Sequence, residues 1–250
     1  MKKPESKLRE LVDRLQKACG NNLVSVVLYG SAAREEFHEQ YSDVNVLVLF
    51  RDLSSRPLSV ITPVVSWWSH EQRFTPPLIM TVDEMRESAD VFAIELLDIQ
   101  NTHRTLFGED IASTIQVPMN LHRVEVEHEL RSTLLRLRQH LLLSPDKEEE
   151  LRLVLVKSIT SVLTLIRHAL ITLGDDDPPR ARAKLLEHAG EVFGFDFRPL
   201  QAILELRNDP EHPVNTGEVY NAYMSAISRV AHQLDERVPK RQWQKLSEPT

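Results

Sequence analysis

The sequence predicts an α/β (α+β) unit built on a mixed sheet, followed by an all-α helical bundle. Three observations carry that prediction. Residues 23–29 and 44–50 are short apolar runs rich in β-branched and aromatic side chains, the composition of buried strands. Up to about Val117, runs of this kind alternate with helical patterns; beyond Pro118 and Asn120 the texture changes to long helices. The expected organisation is therefore an α/β domain over 1–117, a helical bundle over 118–239 and a polar tail over 240–250.

The first helix is expected from about Glu5 to Cys19, because Leu8, Leu11, Val12 and Leu15 follow the i, i+3, i+4, i+7 spacing and Gly20 supplies a stop. After the two strands and a turn-rich RDLSSRPLS, the residues Leu58, Ile61, Val65 and Trp68 predict a helix that Pro63 bends or shortens. Trp67 and Trp68 are adjacent and cannot share one helical face, so core packing of both competes with exposure of one for stacking. Residues 76–80, PPLIM, read as a strand, and Thr81 with Glu84 form a T-x-x-E capping box for a short helix to about Ala89. Within VFAIELLDIQNTHRTLFGED, where a further strand is expected, Glu95 lies between Ile94 and Leu96, and the odd offset of Asp98 puts it on the opposite strand face.

In the second half, helices are expected over 121–143, 147–173, 180–193 and 197–207, and a last one is capped by Thr216 and stopped by Pro239. Short connections favour antiparallel neighbours, hence a bundle. Trp243 is the one anchor expected in the tail.

Composition narrows the function. The 42% hydrophobic and 27% charged content fits a soluble globular protein, and no apolar run approaches the roughly 20 residues that span a bilayer, so no membrane partner is expected. Cys19 stands alone, which excludes an intrachain disulfide or thiolate zinc cluster and suits a cytoplasmic setting. A net charge of -7 argues against a broadly basic nucleic-acid surface. There is no Walker loop, no dinucleotide glycine motif and no nucleophile elbow.

One stretch reads as a chemical device. Gly30-Ser31 follows the first strand where free N–H groups at the start of a helix would favour an anion, and Arg34 is close behind. Asp43 and Asn45 stand two apart at the start of the second strand, so both side chains point to one face. An apolar strand, Gly-Ser, about ten residues and then Asp-x-Asp or Asp-x-Glu within a second apolar strand is the motif of the nucleotidyltransferase superfamily, and this chain resembles its aminoglycoside and minimal members. The matching residues are Gly30, Ser31 and Asp43, while Asn45 takes the place of the second carboxylate.

The resemblance implies a nucleoside triphosphate as donor, Mg²⁺ or Mn²⁺ as cofactor, and an unidentified hydroxyl acceptor. It places Gly30, Ser31 and Arg34 on the phosphates. Asp43, Asn45 and Glu95 are implied as catalytic and metal-holding residues, Glu95 as ligand or as the base that takes the acceptor's proton. Mg²⁺ asks for hard oxygen ligands. Asn supplies the oxygen without the charge, and one unit charge at 4 Å is worth about 4 kcal/mol at an effective dielectric of 20. A descendant without turnover, sensing a nucleotide or binding a protein, is therefore the alternative reading. Leu106-Phe107-Gly108-Glu109-Asp110 also resembles the tail of bacterial nucleotidyltransferase domains.

A rival motif lies further on. Arg207-Asn208-Asp209-Pro210-Glu211-His212 spells R-N-x-x-x-H and resembles the HEPN ribonucleases, in which arginine would stabilise a phosphorane and histidine would move the proton. Glu125, Glu127 and Glu129 are expected either to face a cationic acceptor or to form a solvent face. The sequence leaves the acceptor, the base and the oligomeric state open, a homodimer included.

Overall fold

Leu8, Leu11 and Leu15 form the buried stripe of helix α1 (Glu5–Cys19), and they pack on one face of a four-stranded sheet. The computed structural model describes residues 5–33, 44–144, 147–209 and 211–237. It divides into two compact units, Met1–Leu121 and His122–Thr250.

In the first unit the strands are β1 (Leu23–Tyr29), β2 (Asn45–Phe50), β3 (Leu78–Thr81) and β4 (His103–Gly108). Their order is β3-β2-β1-β4, with β1 antiparallel to both β2 and β4, and β2 parallel to β3. The sheet is therefore mixed, as expected. Both faces of its central strands are covered, which is why β1 and β2 read as continuous apolar runs rather than alternating ones. Val26, Leu28, Val46 and Val48 pack against α1 and α2 (Ser55–Ser66). Val27, Leu47 and Leu49 face the other way, toward α3 (Val82–Glu87), α4 (Ala93–Asn101) and the residues around Ile111.

Pro63 sits inside α2, and the helix runs on into a wider π-helical turn, Trp67–Glu71. Both tryptophans are buried there, so core packing wins over an exposed stacking role. Trp68 donates its indole N–H to the Thr75 carbonyl at 2.9 Å, and the Arg14 guanidinium lies 4.1 Å from the centroid of the Trp67 ring. The capping box is present in full: Thr81 Oγ1 accepts from the Glu84 amide, and the Glu84 carboxylate accepts from the Thr81 amide.

The expected strand around Glu95 is a helix. Ala, Leu, Glu and Gln dominate residues 93–101, and their propensity favours α over β. Ala93, Ile94, Leu96, Leu97 and Ile99 are all buried, so the apolar face is too wide for a strand's alternation. The strand comes later, as β4.

The second unit holds the remaining helices, α5 (Met119–Leu143, which begins at the end of the first unit), α6 (Glu148–Thr172), α7 (Arg182–Phe193), α8 (Arg198–Asn208) and α9 (Thr216–Arg237). Gly194 ends α7 in the left-handed conformation, φ 57°, that glycine adopts without steric cost. Helix α6 is the centre of this core: Leu155, Ile159, Val162 and Ile166 are buried, and it contacts α7, α8 and α9. By length and composition alone α6 could cross a membrane, but half of that stretch is buried against its neighbours, as in a core helix.

The cap of α9 is Asn215 rather than Thr216. The Asn215 Oδ1 accepts from the Glu218 amide at 3.2 Å. Thr216 instead ties α9 to α6, donating to Glu148 at 2.7 Å and accepting from Arg152 at 3.0 Å.

His122 and His168 are fully buried, with Nε2 of the first 2.8 Å from Nδ1 of the second. One proton assignment fits the surrounding contacts. Arg167 donates to His168 Nε2, His168 Nδ1–H donates to His122 Nε2, His122 Nδ1–H donates to the Thr172 hydroxyl, and that hydroxyl donates to the His168 carbonyl.

Candidate active site

Gly30 follows the last residue of β1 with φ +74°, a conformation that side chains rarely adopt. Its N–H donates to the Thr102 carbonyl at 3.1 Å, which ties the end of β1 to the turn between α4 and β4. A Cβ at Gly30 would lie 3.3 Å from Nδ2 of Asn45. The glycine and the motif amide are thus neighbours, as the pairing of Tyr29 with Asn45 across β1 and β2 requires. The absence of a side chain at 30 leaves backbone exposed beside a polar group, the arrangement in which a phosphate approaches a chain closely.

Asn45 is half-buried and shares the parity of Leu47 and Leu49, so it faces the α4 side of the sheet. Tyr29 packs into the same cluster. Burial pushes the Tyr29 phenol up, and the nearby Glu95 charge adds to the rise. Glu95 is exposed in the first turn of α4, on a helix and not on the strand the sequence predicted. Asp98, expected opposite Glu95, is three residues along the same helix and half-buried. Arg34, Asp43 and the Ser31 side chain lie outside the described residues.

The residues 5–132 match the family model of the Nucleotidyltransferase domain. That is just over half of the chain. The chain belongs to the nucleotidyltransferase domain family. Among solved structures it is similar to the spectinomycin adenyltransferase AAD(9) from Enterococcus faecialis with ATP and spectinomycin, at TM-score 0.55 and 15% identity over 92% of this chain and 99% of that one. At that identity the likeness is one of fold, and it extends through the helical region. No curated protein matches the sequence.

Within this nucleotidyltransferase fold, sequence reasoning missed the group behind Gly30. His103, the first residue of β4, pairs with Tyr29 and turns its ring back on α4: Nδ1 lies 3.0 Å from the Ile99 carbonyl and 3.1 Å from that of Gln100. Its Nε2 meets Asp110 Oδ1 at 2.9 Å. Burial pushes the Asp110 carboxyl up, but the hydrogen bonds from His103 and from the Ser113 amide outweigh it and hold the group below its ordinary value. The only sequence signal was the short LFGED phrase, which carries Asp110 and Gly108, at φ +77°.

The other expected residues are spoken for. Glu127 is paired with Arg123 at 3.0 Å and Arg131 at 2.7 Å, and Glu129 lies 3.9 Å from Arg136, so each has a cationic neighbour of its own. Arg207 donates to the Thr160 hydroxyl on α6, while His212 meets Glu205 at 2.9 Å. The R-N-x-x-x-H letters span the C-terminal end of α8 and the loop after it, not the first turn of a helix. Among the described residues no group of three or more His, Cys, Asp or Glu side chains is gathered as a metal set.

Proposed function

We propose that this chain binds a nucleoside triphosphate with Mg²⁺ or Mn²⁺ at the Gly30 and Asn45 end of the sheet and transfers a nucleoside monophosphate to a hydroxyl. The observation that carries the reading is the juxtaposition of Gly30, at φ +74°, with the Asn45 amide. Family membership over residues 5–132 and the position of Glu95 near Tyr29 support it. In the reaction the acceptor oxygen forms a bond to the α-phosphorus as the bond to the pyrophosphate oxygen breaks, and the hydroxyl proton passes to a base. Glu95 would take that proton.

The donor set fits the cation in kind. Asn45 offers an amide oxygen and Glu95 a carboxylate, both hard ligands, with Asp43 as the third residue of the motif. Nδ2 of Asn45 is the atom beside Gly30, which leaves Oδ1 on the other side of the amide. Bound there, the cation would supply charge neutralisation for the triphosphate. Ser31 would hold the phosphates beside Gly30, which lacks a side chain to block them and whose own N–H is taken by the Thr102 carbonyl, with Arg34 adding positive charge.

Calorimetric titration with ATP, GTP, CTP and UTP in the presence of Mg²⁺ or Mn²⁺ tests the reading; binding of at least one is expected, and none would overturn it. Because the structural neighbour carries ATP and spectinomycin, that pair is the first donor and acceptor to try.

The amide at 45 favours a second reading, a nucleotide-sensing or partner-binding descendant. Asn45→Asp separates the two. If the wild type transfers label from a triphosphate, the sensor reading falls; if only Asn45→Asp does, the enzyme reading falls.

A further inference from the structure

The LFGED segment is held more rigidly than a strand end needs to be. Gly108 has φ +77°, and a Cβ there would lie 1.9 Å from the Val24 carbonyl oxygen, so only glycine lets the chain turn against β1. The hydroxyl of Ser25, itself fully buried, donates to the Glu109 carbonyl at 2.7 Å. Beyond it Ile111, Ala112 and Ile115 are buried in the cluster that includes Leu96 and Ile99 of α4, and Gln100 Nε2 donates to the Ile115 carbonyl at 2.8 Å. Asp110 thus projects from a fixed base, and its carboxylate also accepts from the Ser113 amide at 3.3 Å.

From that base the contacts run in one direction. Asp110 holds His103 Nε2; His103 Nδ1 lies against the Gln100 carbonyl and against that of Ile99, which also accepts from the Thr102 N–H at 3.2 Å. Between α4 and His103 lies Thr102, nearly buried, whose carbonyl receives the Gly30 N–H. The imidazole therefore fixes the peptide immediately before it, and that peptide fixes the glycine of the phosphate turn.

We infer that His103 and Asp110 are positioning residues for the nucleotide site, a clamp that orients the Thr102 carbonyl so that Gly30 keeps its place beside Asn45. Neither touches substrate. The inference rests on the nucleotide reading above, so its test needs one observable that does not involve nucleotide. Supporting residues of this kind govern how well a site is preorganised.

Amide hydrogen exchange, followed by NMR in the intact chain, supplies that observable, with the Val27 amide in the middle of β1 as internal reference. In Asp110→Ala the Gly30 amide should exchange about fivefold faster, the change expected when a hydrogen bond worth about 1 kcal/mol is loosened, while Val27 stays within about twofold. Asp110→Asn keeps a polar partner for Nε2 and should restore Gly30 protection. In parallel, the ATP·Mg²⁺ dissociation constant should rise about five- to tenfold in Asp110→Ala and much less in Asp110→Asn. Unchanged Gly30 exchange, or equal loss at Val27, overturns the clamp. Faster Gly30 exchange with unaltered ATP affinity shows that it does not serve the site. Failure of the wild type to bind any of the four triphosphates removes the functional reading itself, whatever Gly30 does.

Discussion

Gly30 has two constraints on it, and they act together. A side chain at φ +74° is strained, and its Cβ would press on Asn45 at 3.3 Å. Gly30→Ala should therefore cost about 1 kcal/mol or more in stability, a fall of several degrees in melting temperature, and weaken ATP·Mg²⁺ binding by more than tenfold. A thermal melt and a calorimetric titration read the two effects separately. Asp110 makes a prediction in pH. Its folded carboxyl is held below the ordinary value, so its contribution to stability is present above the unfolded pKa, about 3.9, and is lost as pH falls through the folded one. Urea midpoints of wild type and Asp110→Asn should differ near neutrality, wild type higher, and converge as pH falls through the lowered folded value. A gap that persists or widens in acid would contradict the assignment. That Gly30 and Asn45 sit at the facing ends of two apolar strands was legible in the sequence, but their register was not, since a period of two fixes a residue's face and not its partner across the sheet. The link from Gly30 to Thr102 was not legible either, since it runs through a backbone carbonyl that carries no side-chain signal.

Among the elements, α4 shows how a local pattern misleads. Isoleucine, glutamate and leucine in succession read as hydrophobic, acid, hydrophobic, the form of a strand carrying a ligand. The residues on either side, with Ala93, Leu97 and Gln100, spell a short helix buried over most of its circumference. The long helices of the bundle were readable because their 3.6-residue stripes run for several turns between Pro and Gly. Even so, the buried pair His122 and His168 escaped notice, because 46 residues separate them and only packing of α5 on α6 brings them together. His122→Ala removes the ring that meets His168 Nδ1 in a fully buried place. The expected cost is about 2–4 kcal/mol, from the lost hydrogen bond and the space left behind, and urea unfolding measures it. A loss below about 0.5 kcal/mol would mean that water replaces the ring without penalty.

At the scale of the whole molecule, each unit has a core of its own. One is built on a sheet between two helical layers, the other on α6. Ile159 is fully buried in the second, so Ile159→Ala should destabilise the chain by about 2–4 kcal/mol. Gly30 and Asn45 belong to the first unit, and at 25 °C the same variant should keep the ATP·Mg²⁺ dissociation constant within about twofold. A larger loss of affinity would show that the bundle completes the donor site. The change of texture near Pro118 was plain in the sequence, whereas helix α5 starts at Met119 and the compact units meet between Leu121 and His122.

The tie between Gly30 and Thr102 ends on a peptide oxygen. Evolution cannot delete that atom by exchanging the residue at 102, so drift at this position leaves the contact standing. Selection can reach it only indirectly, by re-aiming the oxygen through whatever occupies 103 and 110, or by a proline at 103 that would restrict the backbone of the residue before it. In comparing descendants of this chain, the letters to watch for loss of donor binding are therefore these two, eight or more positions beyond Glu95.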